Sequence, residues 1–281
     1  VLLVVRAAAD ELDALTGRLW LSGVVTAVVE QPLDPGGVEL RVGIIETATE
    51  DEVDSLVRGL APRWRARRID DSSERSAVVE SVRADATVVR AGSHLVVAPP
   101  WLDPATVAGD VVVTIDPGLA FGSGSHPTTV MALAALERVV LAGARVLDVG
   151  CGTGVLAVAA ARLGATPVVA IDIDPHAVAA TAGNVERNGV AGAVTVIAGD
   201  VSRVAASPAF DVVVANLTAG TVIELAAAIT DRLAPSGVAV LTGILDELAA
   251  EVADGLAVAG LVVRDRQSVE GWTRLEATNG P

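Results

Sequence analysis

Two short stretches of this chain carry residue types that do chemistry at a telling spacing: Val146-Leu-Asp-Val-Gly-Cys-Gly-Thr-Gly154, and Ile171-Asp-Ile-Asp174. The apolar run over 145–149 predicts a buried strand that carries Asp148. It ends in a loop with glycine at 150, 152 and 154. A helix is predicted over 155–163, directly after the loop. Such a loop brings a ligand close to bare backbone, where N–H groups stand at a helix N-terminus. A second strand, predicted over 168–173, then presents Asp172, about 20 residues past the loop, where a carboxylate commonly holds a ribose hydroxyl pair. Asp148, Gly150, Gly152, Gly154 and Asp172 therefore read as an adenosine-binding half-site.

The loop pattern bears on what the adenosine carries. A dinucleotide fingerprint is G-x-G-x-x-G, whereas this loop is G-x-G-x-G with an aspartate two residues before it. A pyrophosphate is poorly served by a carboxylate at the helix end. Asp148 suits a ligand with positive charge there, and S-adenosylmethionine carries both a sulfonium and an ammonium group. A nicotinamide or flavin dinucleotide is the alternative ligand. A tight strand-to-helix turn that binds nothing is the bland reading.

Three further segments bear polar groups where a strand or loop would aim them at such a ligand. The first is Asp116-Pro-Gly-Leu-Ala-Phe-Gly-Ser-Gly-Ser-His-Pro-Thr-Thr129, a hydroxyl-rich loop running into a helix with Pro127 at its first position. It can fold over a ligand, or be an ordinary surface loop whose helix is capped by Ser125. Phe121, one of two phenylalanines, reads as a base-stacking or channel residue, or equally as a core plug. The second is Ala215-Asn-Leu-Thr-Ala219, where the carbonyl oxygen of Asn216 can accept from a nucleophilic amine; the bland alternative is a helix cap. The third is Asp200, an acceptor for an adenine amino group or a plain turn residue.

The elements that must place these groups follow from apolar periodicity. Past residue 110, strands are predicted over 111–115, 145–149, 168–173, 193–198, 210–215, 237–245, 261–266 and 272–277. Helices are predicted over 127–140, 155–163, 175–188, 219–233 and 246–259. This alternation predicts a mostly parallel sheet covered on both faces. Ligands of such sheets bind beyond the carboxyl ends of the strands, at a topological switch point. Asp148, Asp172, Asp200 and Asn216 all fall at or near such ends, which argues for one shared pocket. Residues 1–70 read as β-α-β-β-α-β, the order of a small ferredoxin-like α+β sandwich. Residues 71–110, with Pro99, Pro100 and Pro104, read as a connector between the two domains.

Composition narrows the chemistry. At 281 residues and 52% hydrophobic content the chain can bury two cores. It has no lysine and no tyrosine, which removes a Walker lysine, a Schiff-base lysine and a tyrosine acid or base. His94, His126 and His176 lack metal-ligand spacing, so no metal is expected. A net charge of −15 argues against a nucleic-acid face and suits a basic partner. The arginines of Arg63-Trp-Arg-Ala-Arg-Arg68 read as a solvated edge-strand face, with a contact patch as the alternative. No apolar run is long enough for a membrane helix, and Val1-Leu-Leu-Val-Val-Arg6 reads as a first strand rather than a signal peptide. The single cysteine, Cys151, fits a reducing compartment, and the cytoplasm is the expected location.

Taken together the motifs resemble the PrmA family, the methyltransferases of ribosomal protein L11, over roughly residues 92–281. The resemblance rests on DPGLAFGSGSHPTT (116–129), VLDVGCGTGVLAVAAARLGA (146–165), IDIDPHAV (171–178), the N-x-x-x-N-G-V stretch (184–190), VVANLTAG (213–220), LTGIL (241–245) and EGWTRL (270–275). It implies a Rossmann-like class I methyltransferase domain preceded by a small substrate-recognition domain. By resemblance Thr129, Gly150, Asp172 and Asn216 fall at S-adenosylmethionine-binding positions. It implies a basic ribosomal large-subunit protein as substrate, methylated on lysine side chains or its N-terminal amine, with no direct nucleic acid or membrane partner. Rival readings are a methyltransferase of the same build acting on another protein or a small molecule, and a non-catalytic module that binds the cofactor or a partner.

Overall fold

Strand β8 (Val146–Val149) is the first strand of a seven-stranded sheet and lies inside it, not at an edge. The computed structural model in which this is seen describes residues 2–8, 11, 15, 18–19, 22, 25–33, 37–44, 48–69, 87–116, 124–207 and 209–280. Within it the chain divides into two compact units, one in residues 1–86 and the other in 87–116 and 122–281.

In the first unit, strands β1 (Leu2–Ala8), β2 (Val25–Leu33), β3 (Gly37–Ile44) and β4 (Arg65–Ile69) form one antiparallel sheet in the order β2-β3-β1-β4. This is the strand order of a ferredoxin-like sandwich. One sheet face buries Leu3, Val5, Leu40 and Val42 with Leu15, Leu19, Val53 and Leu60. Helix α1 (Glu50–Leu60) opens with a capping box: the Thr49 hydroxyl accepts from the Glu52 amide, and Glu52 accepts from the Thr49 amide. β4 is an edge strand as expected, and an arginine within it and one just before it find local acids. Arg63 pairs with Glu11, and Arg68 pairs with Glu50.

The second unit is the α/β domain. Its large sheet runs β10-β9-β8-β11-β12-β14-β13, with β9 (Val168–Asp172), β10 (Val194–Ala198), β11 (Phe210–Asn216), β12 (Leu233–Leu245), β13 (Leu261–Val269) and β14 (Trp272–Asn279). The first five neighbours pair parallel, and β14 and β13 are antiparallel. Alternate residues of each strand face opposite layers, because the side-chain period of a strand is two. Val146, Ala170, Val214 and Val240 pack against α2 (Pro127–Val139) and α3 (Val155–Arg162), with Leu133, Leu136 and Leu156. Leu147, Ile171, Val213 and Leu241 pack on the other face with Val222 and Ile229 of α5 (Ala219–Arg232) and Val252 and Leu256 of α6 (Ala249–Val258). Helix α4 (Pro175–Arg187) connects β9 to β10.

One expectation fails here. The strand predicted over 111–115 is not part of the large sheet. It is β7 (Val111–Thr114), parallel to β6 (Leu95–Ala98), which pairs antiparallel with β5 (Val89–Ala91) in a separate three-stranded sheet. β7 finds its partner instead in β6, the strand just before it, which Pro99 and Pro100 follow. Residues 87–110, read from sequence as connector, thus belong with the second unit. The helix predicted over 246–259 begins as a 3-10 turn, Asp246–Leu248, before α6.

Candidate functional site

Strand order reverses between β8 and β11: β9 and β10 lie on one side of β8, β11 and β12 on the other. This is the switch point at which an open α/β sheet binds its ligand. Registers place the candidate residues on one face of it. Asp148 pairs with Ala170 and with Val214, and Val214 pairs with Val240. Two residues further on stand Asp172, Asn216 and Thr242, which therefore share that face with Asp148.

Asp148 is fully buried. Its Oδ2 accepts from the Ala157 amide at 3.0 Å, in the first turn of α3, and its Oδ1 has no partner among the described residues. Burial, with the nearby Asp172 charge a lesser cause, pushes its carboxyl up to about 7. A buried, half-satisfied carboxylate is disfavoured alone and is relieved by a cation. The residues present therefore fit a positively charged ligand group.

The glycine loop differs from its sequence reading. Its amides are spent inside the protein rather than left bare. Gly150 and Cys151 donate to the Ile171 carbonyl, and Gly154 donates to that of Cys151. Gly152 donates to Asp172 Oδ2 at 3.0 Å. Backbone carbonyls take three of these amides and Asp172 takes the fourth, while Asp148 accepts from Ala157 in the first turn of the helix. Gly150, Gly152 and Gly154 all have positive φ, which explains why three glycines are present. With these loop amides committed and a carboxylate at the helix end, a pyrophosphate finds fewer donors and unfavourable charge.

Asp172 is the last residue of β9. Its Oδ1 accepts from the Asp174 amide at 3.0 Å, so each oxygen holds one amide and keeps a lone pair. Burial raises its carboxyl pKa. Asp200, two residues past β10, is exposed and accepts from the Ser202 amide at 2.9 Å, capping the turn Val201–Arg203. The Ser202 hydrogen bonds hold its carboxyl below the usual range.

Asn216 ends β11, and its Nδ2 donates to Thr129 Oγ1 at 3.3 Å. It is not a helix cap: Thr218 caps α5, accepting from the Thr221 amide. Ser125 likewise does not cap α2. His126 does, through Nδ1 to the Thr128 amide at 3.3 Å. Burial drives the His126 pKa down to about 4, which keeps the ring neutral and its Nδ1 an acceptor. Trp272 packs edge-on against that ring, with centroids 5.0 Å apart. The HPTT and EGWTRL motifs are thus one contact, and it fixes the start of the helix that carries Thr129.

Sequence reading gave no role to the asparagines of 184–190. Asn184 is buried, and its Nδ2 donates to the carbonyls of Thr153 at 2.9 Å and Asp116 at 3.1 Å; its Oδ1 accepts from the Asp116 amide at 2.9 Å. Asn188 makes the same two-way exchange with Thr114, at 2.8 and 2.7 Å. One turn of α4 thus acts as a substitute strand for the end of β7 and ties it to the glycine loop. Thr181 supports the loop from the same helix, donating to the Gly152 carbonyl at 2.9 Å. Gly243 was missed too. An added Cβ there would meet the Leu217 carbonyl oxygen at 2.4 Å, so β12 lies hard against the turn after Asn216. Glycine inside a strand pattern was the available signal.

Phe121 lies outside the described residues. Among the described residues no three His, Cys, Asp or Glu side chains are grouped to hold a metal, and no helix is long and apolar enough to cross a membrane.

Residues 79–280 match the family model described as Ribosomal protein L11 methyltransferase (PrmA). A curated relative of that name from Pelotomaculum thermopropionicum is 50% identical over 189 residues, covering 67% of this chain and 61% of the relative. Another, from Symbiobacterium thermophilum, is 36% identical over 244 residues, covering 87% of this chain and 78% of its own. The matched part spans 61%, 53% and 53% of the first three curated relatives. The crystal structure of a ribosomal protein L11 methylase from Lactobacillus delbrueckii subsp. bulgaricus has the same fold. It superposes with a TM-score of 0.64 at 29% identity, over 69% of this chain and 99% of that one. The family match, the switch-point carboxylates and the Asn216–Thr129 pair lead to one assignment: the chain belongs to the ribosomal protein L11 methyltransferase (PrmA) family.

Proposed function

We propose that the chain is an S-adenosylmethionine-dependent protein methyltransferase that methylates amines of ribosomal protein L11. The observation that carries this reading is the buried Asp148 carboxylate at the switch point, with one oxygen unsatisfied among the described residues. In the proposal Asp148 faces the cationic methionine end of the cofactor and Asp172 holds the ribose hydroxyls. Asp200 lies toward the adenine, and Gly150, Gly152 and Gly154 let the backbone approach. When bound, the cofactor supplies a methyl group activated by its sulfonium. Phe121 belongs to the same sequence motif, residues 116–129, as Thr129.

The chain's own contribution is placement and charge. Asn216 donates to Thr129 through Nδ2, which leaves its Oδ1 as an acceptor. That oxygen would take an N–H of the incoming amine and aim the nitrogen lone pair. A lysine amine must be neutral to attack, and poor solvation at the sheet end lowers its pKa. The net charge of −15 favours approach of a basic protein, and a ribosomal protein substrate places the reaction in the cytoplasm.

Calorimetric titration with S-adenosylmethionine and with NAD, followed by methyl transfer to purified L11, tests the reading. Micromolar binding of the first ligand alone, with L11 labelled, is expected. Binding of NAD alone would overturn the cofactor assignment, and cofactor binding without L11 labelling would overturn the substrate.

A further inference from the structure

We propose that Thr242 is a positioning residue for the acceptor amine, acting through Asn216; the proposal rests on the methyltransferase reading above. Thr242 lies in the Leu241-Thr-Gly-Ile-Leu245 stretch of β12 and pairs with Asn216 in the parallel register. Partners in register share a face, on strands about 4.8 Å apart. Thr242 is fully buried, and its Oγ1 has no hydrogen-bond partner among the described residues. Such a hydroxyl is disfavoured, and a valine of nearly the same shape would fill the position without it. Its neighbour along the same face, Val240, is apolar and packs in the α2-facing core. The polar atom therefore appears only where the strand reaches Asn216.

The surrounding backbone holds the pair in register. The Leu217 amide donates to the Thr242 carbonyl at 3.0 Å. Gly243, at φ +84, lets the Leu217 backbone close against β12. What the hydroxyl can do follows from the inventory of a carboxamide. Nδ2 has two hydrogens, and Thr129 Oγ1 takes one. Thr242 Oγ1 accepts the second when the amine docks. Two hydroxyl partners on Nδ2 hold the plane of the carboxamide at two points. Oδ1 is then left to accept from the amine.

The test compares T242V, T242S and the T242V/N216A double variant of the full chain, with S-adenosylmethionine and L11. T242V should lower kcat about tenfold and leave cofactor Kd within about twofold. Its Tm should equal or exceed that of wild type, since it removes an unsatisfied hydroxyl. T242S should restore most of kcat, and the double variant should lose no more than N216A alone. Wild-type kcat in T242V overturns the proposal, as does a kcat loss matched by lost cofactor affinity or lowered Tm. No turnover by the wild-type chain overturns the methyltransferase reading and the proposal with it.

Discussion

Asp148 Oδ2 accepts from the Ala157 amide at 3.0 Å while its equally buried Oδ1 has no partner among the described residues. The carboxyl is pushed up to about 7, first by burial and then by the charge of Asp172. The folded pKa lies above the unfolded value near 4, so between pH 4 and 7 the folded chain binds more protons than the unfolded one. Stability of the free protein therefore falls as pH rises through that window. Denaturant midpoints of wild type and D148N, compared from pH 4.5 to 7.5, should diverge in D148N's favour as pH rises. A cationic ligand beside Asp148 reverses the preference and favours the carboxylate. Binding of S-adenosylmethionine at pH 6 should release a proton, and affinity should rise toward pH 8 by roughly up to tenfold per pKa unit recovered. Calorimetry in two buffers of different protonation enthalpy reads this directly. An absence of proton release at pH 6 would remove Asp148 from the cationic end of the site.

Asp172 holds the Gly152 and Asp174 amides with one oxygen each. D172A removes both acceptors and the proposed ribose partner together. It should weaken S-adenosylmethionine at least about tenfold and cost about 1–3 kcal/mol of stability from the two freed amides. D172N retains one acceptor oxygen and should be intermediate in both. Wild-type affinity in D172A would refute the ribose assignment.

Asn216 is joined to Thr129, not to the helix that follows it. N216A should therefore leave α5 intact, because Thr218 caps that helix. Turnover on L11 should drop roughly 10- to 100-fold from lost alignment of the amine. Cofactor affinity should change far less. Equal losses in the two would make Asn216 a cofactor-binding residue only.

The core of the site was readable because it depends on local pattern. Glycine spacing, strand-end acids and alternating strands and helices placed Asp148, Asp172 and Asn216 at or near strand ends around one pocket before any coordinates. The parts that escaped depend on distant partners. Nothing near Asn184 in sequence announces that it will bind Asp116 and Thr153, 68 and 31 residues away. Histidine is an uncommon cap, so His126 was passed over for the serine beside it. The sheet that β7 joins depends on strand pairing, and periodicity carries no such information.

Asn184 gives a prediction of its own. Its carboxamide satisfies backbone groups on Asp116 and Thr153 and also accepts from Arg187 at 2.7 Å. N184A leaves several buried polar groups without partners, which should cost about 2–4 kcal/mol. N184D keeps the acceptor but loses the donors to two carbonyls, and should be nearly as harmful. Urea midpoints measure the stability. Cofactor affinity should fall alongside it, because the Thr153 end of the glycine loop loses its tether. An N184A chain of wild-type stability would mean that the motif is held by other contacts.

Gly243 is the residue whose replacement should most directly disturb the reaction face without touching a polar group. An alanine there must adopt φ near +84 and place its Cβ 2.4 Å from the Leu217 carbonyl oxygen and 2.9 Å from Leu217 N. The first demand costs about 1–3 kcal/mol for a non-glycine residue. The second meets backbone, which cannot rotate away as a side chain would, so the turn after Asn216 must move. G243A should lose about 2–4 kcal/mol in total, taking the strain with an overpacking cost of similar size. Gly189 supplies the control, since it has φ +65 but nothing within 4 Å of an added Cβ. G189A should show the conformational cost alone, about 1–2 kcal/mol, with turnover unchanged. If G243A and G189A lose the same stability and neither loses turnover, the contact between β12 and the Asn216–Leu217 turn has no part in placing the amine.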